Sequence, residues 1–190
     1  DYGNNRVLAY DHNFRPKWVL GNGTKNELFN GPYYAEFIAS KNLFAITNRS
    51  ANTIVLVTTE GKVFAEFGGE KLKYPHELAV FDNGDIVVAN TNNNSIDIFY
   101  AGSSYSGSET IKFPKSYGGP KTISVSNDGR MFVGFTSNQG SYILHFQDES
   151  RDRVGQFAVK SSKLDILDSV QIEESKSVSF SESSRTLTIY

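Results

Sequence analysis

The sequence contains no cysteine. That excludes a disulfide scaffold, thiol catalysis and cysteine-ligated zinc or iron–sulfur centres. It leaves the compartment open, because a well-packed core needs no disulfide. No run approaches the roughly 18 consecutive apolar residues of a membrane-crossing helix, so no membrane partner is expected. The 19 lysines and arginines are scattered and the net charge is −2. Without a clustered basic face, no nucleic-acid partner is expected either. There is no N-terminal methionine and no signal-peptide pattern, and Asp1 points to a processed chain or a fragment.

Aromatic residues are plentiful: 14 phenylalanines and 10 tyrosines, against one methionine and one tryptophan. With the many β-branched residues they favour sheet over helix. At 190 residues and 38% hydrophobic, the chain can bury one domain-sized core.

Repeats decide the architecture. From Tyr74 to Tyr100 the chain reads strand, tight turn, strand, polar loop, strand. Leu78, Val80, Ile86 and Val88 alternate at period 2, and Asp82-Asn83-Gly84-Asp85 is hairpin punctuation. The rhythm recurs upstream from Tyr34 and downstream from Pro120, and Asn83-Gly84 precedes Asp128-Gly129 by 45 residues. A period of roughly 40–45 residues with four strands per unit is a propeller blade. The chain opens with Asp1-Tyr-Gly-Asn-Asn-Arg-Val, in phase with the loop and third strand that begin at Asn90. It closes with two strands around 176–190. The expected fold is therefore all-β: a small propeller of about four four-stranded blades, its N- and C-terminal strands sharing one blade. The blades fall at 176–190 plus 1–21, 33–68, 75–113 and 119–159, within one domain. Residues 160–175 form an insertion in which Leu164, Leu167 and Val170 suit a short amphipathic turn. The alternative is a fragment of a six-bladed propeller, which would show the same match between its ends.

These units resemble NHL repeats. The resemblance rests on Pro75 to Phe99, with its hydrophobic-Ala-Val strand, Asn-Gly turn and Val-Ala strand end, and on Asp1 to Tyr10, with Gly3, Asn4, Asn5 and Arg6. Asn48 and Gly134 stand where the pattern has a strand-end Asp. The resemblance implies blade architecture, with Asp1, Asn5 and Arg6 in structural roles. It does not specify an activity, because propellers host binding modules, scaffolds and enzymes alike.

Candidate chemistry is sparse. His76 follows Pro75 at the start of a first strand, which in a propeller lies innermost. Propeller lyases that process amidated peptides resemble this fold and hold zinc with histidines at such positions. Here the matching positions are Ala35 or Glu36, Lys121 and Ser177, so no metal is expected, and His76 with Glu36 is the alternative pair. Glu36, Glu77, Asn90 and Asp128 are the acids and amides open to calcium, as in propeller lactonases. His12 and His145 are isolated. No Gly-x-Ser-x-Gly elbow occurs, and Gly102–Ser108 precedes a strand rather than a helix.

Tyr33-Tyr34, Tyr74 and Tyr117 recur just before the first strand of three blades. Aromatic rings at one rim suit stacking against sugars or a protein surface. The expected function is a non-catalytic, extracellular or secreted binding or scaffold propeller. One face, with Tyr33, Tyr34, Tyr74, His76, Tyr117 and Lys121, takes a protein or glycan partner. One alternative is a metal-dependent lyase or hydrolase with zinc or calcium at the channel mouth. Another is a structural subunit that self-assembles, as a homo-oligomer or completed by other chains. Three Asn-x-Ser/Thr sequons, at Asn22, Asn48 and Asn93, are candidate glycosylation sites.

Overall fold

A computed structural model describes residues 1–21, 23, 28–126, 129–137, 140–147, 152–160, 165–166, 178–181 and 186–189. The strands are short and antiparallel. The first hairpin pairs β1 (Val7–Tyr10) with β2 (Pro16–Leu20). A four-stranded sheet follows in simple up-and-down order: β3 (Pro32–Ile38), β4 (Leu43–Asn48), β5 (Thr53–Thr58) and β6 (Val63–Phe67). The next has the same order: β7 (Pro75–Val80), β8 (Ile86–Asn90), β9 (Ser95–Phe99) and β10 (Ser108–Lys112). The third runs β11 (Pro120–Val125), β12 (Met131–Ser137), β13 (Gly140–Gln147), β14 (Asp152–Lys160) and a two-residue β15 (Asp165–Ile166). A last hairpin pairs β16 (Val178–Ser181) with β17 (Thr186–Ile189). The fold is a β-propeller built from four-stranded antiparallel blades.

The terminal hairpins β1–β2 and β16–β17 are separate two-stranded sheets, and no ladder joins them among the described residues. The insertion contributes β15, paired with Val159 and Lys160; Leu164, Leu167 and Val170 lie outside the described residues.

The core lies between blades. Successive strand residues point to opposite faces, so each blade presents one apolar set to each neighbour. In the middle blade Leu78, Ile86 and Val88 meet Ile38, Leu43, Ile54 and Leu56 of the blade before it. Ala79, Val87, Ala89, Ile96 and Ile98 meet Ile123, Met131, Val133 and Leu144 of the blade after it. This is why β8 and β9 are buried at every residue. The β1–β2 hairpin covers the other side of the first blade, with Val7, Trp18 and Leu20 against Phe29, Ile46, Val55 and Val57. The turn after β7 is tight, and Gly84 supplies its positive φ of 88°.

Asparagines tie the loops. Asn48 ends β4; its Oδ1 accepts from the Asn30 N–H at 2.7 Å and its Nδ2 donates to the Leu28 carbonyl at 2.9 Å. Asn90 ends β8 and repeats the device, accepting from Lys73 N–H at 2.7 Å and donating to the Lys71 carbonyl at 3.0 Å. Asn5 and Asn52, both left-handed, tie one blade to the next through the N–H groups of Gly31 (2.8 Å) and Tyr74 (2.7 Å). Asp1 pairs with Arg6 Nε at 2.8 Å and accepts from Asn4, a structural role at the head of the first hairpin. The inner strands β3, β7 and β11 lie side by side.

Candidate functional site

Each inner strand begins with a proline and a bulge. Pro32 pairs with Asn48 and Tyr34 with Thr47, which leaves Tyr33 unpaired. Pro75 pairs with Asn90 and the ladder resumes at Leu78, leaving out His76 and Glu77. Pro120 pairs with Phe135 and Thr122 with Gly134, leaving out Lys121. A bulge frees a residue from the ladder and re-aims its side chain. Tyr33, His76 and Lys121 are therefore equivalent positions on one rim. The expected equivalence of His76 with Ala35 or Glu36 is corrected to Tyr33, because periodic counting does not see the bulged residue.

Arg49 and Tyr2 join this rim, and the sequence reading selected neither. Each follows a loop-pinning residue, Asn48 and Asp1 respectively. That adjacency is the signal that could have found them. The Arg49 guanidinium carbon lies 4.0 Å from the Tyr74 ring centre, 4.5 Å from Tyr33 and 5.9 Å from Tyr2. Tyr2 meets Tyr33 edge-on at 6.2 Å. The His76 ring stands edge-on to Tyr33 at 5.0 Å and to Tyr74 at 5.8 Å. Tyr74 holds a positive φ of 58°, fixed by the bond its N–H donates to Asn52. Tyr2 and Tyr33 are 45% and 47% exposed, so aromatic faces remain open at the rim.

The electrostatics of the rim are one-sided. Arg49 Nε is buried and has no hydrogen-bond partner. Among the described residues the only ion pair is Asp1–Arg6, so no described carboxylate is ion-paired with Arg49 or Lys121. His76 is 5% exposed. Burial, then the positive charges of Arg49 and, more weakly, Lys121, push its pKa from 6.5 down to about 4; the Tyr74 carbonyl acts in the opposite direction. The imidazole is therefore neutral at pH 7. Thr91 Oγ1 donates its one proton to the Pro120 carbonyl at 2.6 Å and contacts His76 Nδ1. With that proton spent, a neutral ring carrying its hydrogen on Nδ1 completes the contact to Thr91.

The other predicted residues fall elsewhere. Tyr34, one residue from Tyr33, donates its hydroxyl to Glu36 at 3.0 Å. Burial, that bond and the negative charges of Glu36 and Glu77 raise its pKa to about 12. Glu77 Oε2 accepts from the Ile123 N–H at 3.4 Å, clamping β7 to β11, and burial raises its pKa. Tyr117 turns into the blade interface, edge-on to Phe135 at 5.9 Å. Of the six rim candidates, Tyr33 and Tyr74 each contact His76, and Lys121 adds its charge; Tyr34 and Tyr117 belong to other clusters.

His76 and Glu36 are not gathered into a metal set: among the described residues no three His, Asp or Glu side chains come together. Asn90 is spent on its loop and on the Asp97 carboxylate at 2.7 Å. Asp128 and the side chain of His145 lie outside the described residues. His12 sits on an exposed turn beside Asn13 at 3.0 Å. Asn48 is withdrawn as a glycosylation site: its amide is fully buried and both its ends are bonded to backbone. Asn93 is exposed, with Nδ2 donating to the Lys71 carbonyl at 2.8 Å, and Asn22 lies outside the described residues.

The family model for the NHL repeat matches residues 72–99. This chain carries an NHL repeat. The match covers the middle blade from just before Pro75 to the end of β9. Among curated protein sequences, none matches the chain. Solved structures resemble it in fold. A catalytically inactive variant of virginiamycin B lyase from Staphylococcus aureus, crystallised with quinupristin, is 17% identical, with a TM-score of 0.65 over 100% of this chain and 64% of that one. A streptogramin B lyase is 14% identical, with a TM-score of 0.65 over 100% and 76% of the two chains. Hydrazine synthase of Kuenenia stuttgartiensis is 15% identical, with a TM-score of 0.60 over 88% and 52%. The chain thus spans less than two thirds of the length of the staphylococcal lyase. At these identities the likeness is one of fold, a β-propeller.

Proposed function

We propose that this NHL-repeat propeller is a non-catalytic binding module. Its partner, a protein or a glycan, docks on the rim formed by Tyr2, Tyr33, Arg49, Tyr74, His76 and Lys121. The observation that carries this reading is the stacking of Arg49 against Tyr33 and Tyr74. These residues come from two successive blades and are held by bulges and asparagine ties rather than by mobile loops. Rigid tyrosines and an arginine supply contact area at low entropic cost, and such residues dominate binding hot spots. The chemistry of the rim also favours binding over catalysis. The Thr91 hydroxyl is engaged with the Pro120 carbonyl and with His76 Nδ1. Among the described residues no nucleophile and base face each other there. An extracellular setting belongs to the same proposal, supported by the exposed sequon at Asn93.

The test is an array of immobilised glycans and peptides probed with the wild-type chain, Tyr33→Ala and Tyr74→Ala. The wild type should retain a defined subset, and each variant should lose about tenfold in affinity or more with its melting temperature kept. Unchanged binding by both variants refutes the assigned face. Turnover of a bound ligand, or its dependence on added zinc or calcium, would replace the reading by a metal-dependent lyase or hydrolase.

A further inference from the structure

Arg49 is held in an unusual way. No hydrogen bond reaches its guanidinium among the described residues, and tyrosine rings stack against it instead. Of its three nitrogens only Nε is both sealed from water and unpartnered, so the two Nη groups keep contact with solvent. No carboxylate lies within ion-pair distance of it among the described residues. Its field is felt at His76, as is that of Lys121. The rim therefore presents two cations, an oriented N–H fork, a neutral imidazole and two half-exposed tyrosine rings.

We propose that this rim is a carboxylate-binding site, with the outer edge of the Arg49 fork as the bidentate anchor and Lys121 as the second charge. The assignment rests on the docking face proposed above. A guanidinium fork matches a planar carboxylate with two parallel charge-assisted bonds. The guanidinium carbon lies 4.5 Å and 4.0 Å from the Tyr33 and Tyr74 ring centres, so a group bound to the fork meets the rings as well. A tetrahedral sulfate or phosphate would set oxygens out of the plane of the fork, toward the negative ring faces. The carboxylate can belong to an acidic sugar or to a peptide end, and both present the same group.

Nuclear magnetic resonance of the arginine Nε–H groups reads the site directly. The Arg49 Nε–H is shielded from water and should give a slowly exchanging signal, assigned by its loss in Arg49→Lys. The probes are methyl glucuronide with its neutral isostere methyl glucoside, N-acetylglycine with N-acetylglycinamide, and inorganic sulfate. At least one acid should shift the Arg49 signal saturably with a Kd of about 1 mM or tighter. Its neutral partner and sulfate should bind at least about tenfold more weakly. Arg49→Lys should weaken the acid about tenfold, followed by the tyrosine-rim signals. Lys121→Gln, a change at an exposed side chain that leaves the core intact, should weaken it severalfold. Glucuronide alone identifies an acidic sugar, acetylglycine alone a peptide end, and either supports the site. Neutral probes binding as well as acids, with loss in Tyr33→Ala, would leave the docking face standing and overturn the carboxylate assignment. Sulfate binding equally well also overturns it. So does the absence of any shift at about 10 mM acid, whatever the array shows for the face.

Discussion

Acidification should destabilise this protein through His76. In the unfolded chain its imidazole takes up a proton near 6.5, and in the fold only near 4. Between those values the unfolded state binds the extra proton, so this contribution to stability is complete above about pH 6.5 and is lost as the pH falls toward 4. At about 1.4 kcal/mol per pH unit, the full interval is worth about 3 kcal/mol, of which about 2 kcal/mol is gone by about pH 5. That is a large share of the roughly 5–15 kcal/mol by which a domain is stable. The cause is local: protonation would place a third cation beside Arg49 and Lys121 in a nearly dry site. Urea unfolding at about pH 7 and about pH 5 measures the loss. Carboxylates titrate in the same interval, so the decisive quantity is the difference between wild type and His76→Gln, which should lack about 2 kcal/mol of the pH dependence. An equal pH dependence in the two proteins, or a His76 ring resonance titrating near its ordinary 6.5, would refute the reasoning.

Other consequences follow from the same geometry. Asn48→Ala strands the Asn30 N–H and the Leu28 carbonyl and should cost about 2–4 kcal/mol in chemical denaturation. Gly119→Ala would put a Cβ 2.1 Å from the Thr91 carbonyl oxygen. It should cost about 1–3 kcal/mol and shift the His76 ring resonances, because Thr91 holds that ring. Tyr34 ionises near 12 in the fold against an ordinary 10, so the unfolded state sheds the proton first and stability falls as pH rises through that interval. Tyr34→Phe should remove that alkaline loss, measured by melting temperature against pH.

Much of the fold was legible in the sequence because strand period, turn chemistry and repeat spacing are local properties. Leu78, Ile86 and Val88 mark one blade face, and Gly84 marks the turn between them. The rim was only partly legible. Tyr33 and Tyr34 are adjacent, and alternation along a strand sends them to different environments. The bulge after Pro32 decides which of them reaches Arg49. Tyr117 sits on a short helical turn, Lys115–Tyr117, which rotates it onto Phe135. Arg49 reads as an ordinary loop residue of the repeat until Tyr33 and Tyr74 are seen against it. Asn48 reads as a sequon until its amide is found spent on the backbone of a loop 18 to 20 residues earlier.

The sequence by itself determined the β class, the repeating strand order, the hairpin turns and the recurrence of aromatic residues near each inner strand. These follow from periodicity and from residues such as glycine and asparagine that accept special backbone angles. The tertiary structure alone decided which side chains share a rim, which cations there have no described ion-pair partner, and that His76 is held neutral. Those properties depend on one-residue bulges and on the burial that neighbouring blades create. Both act between residues distant in sequence, and no local pattern encodes them.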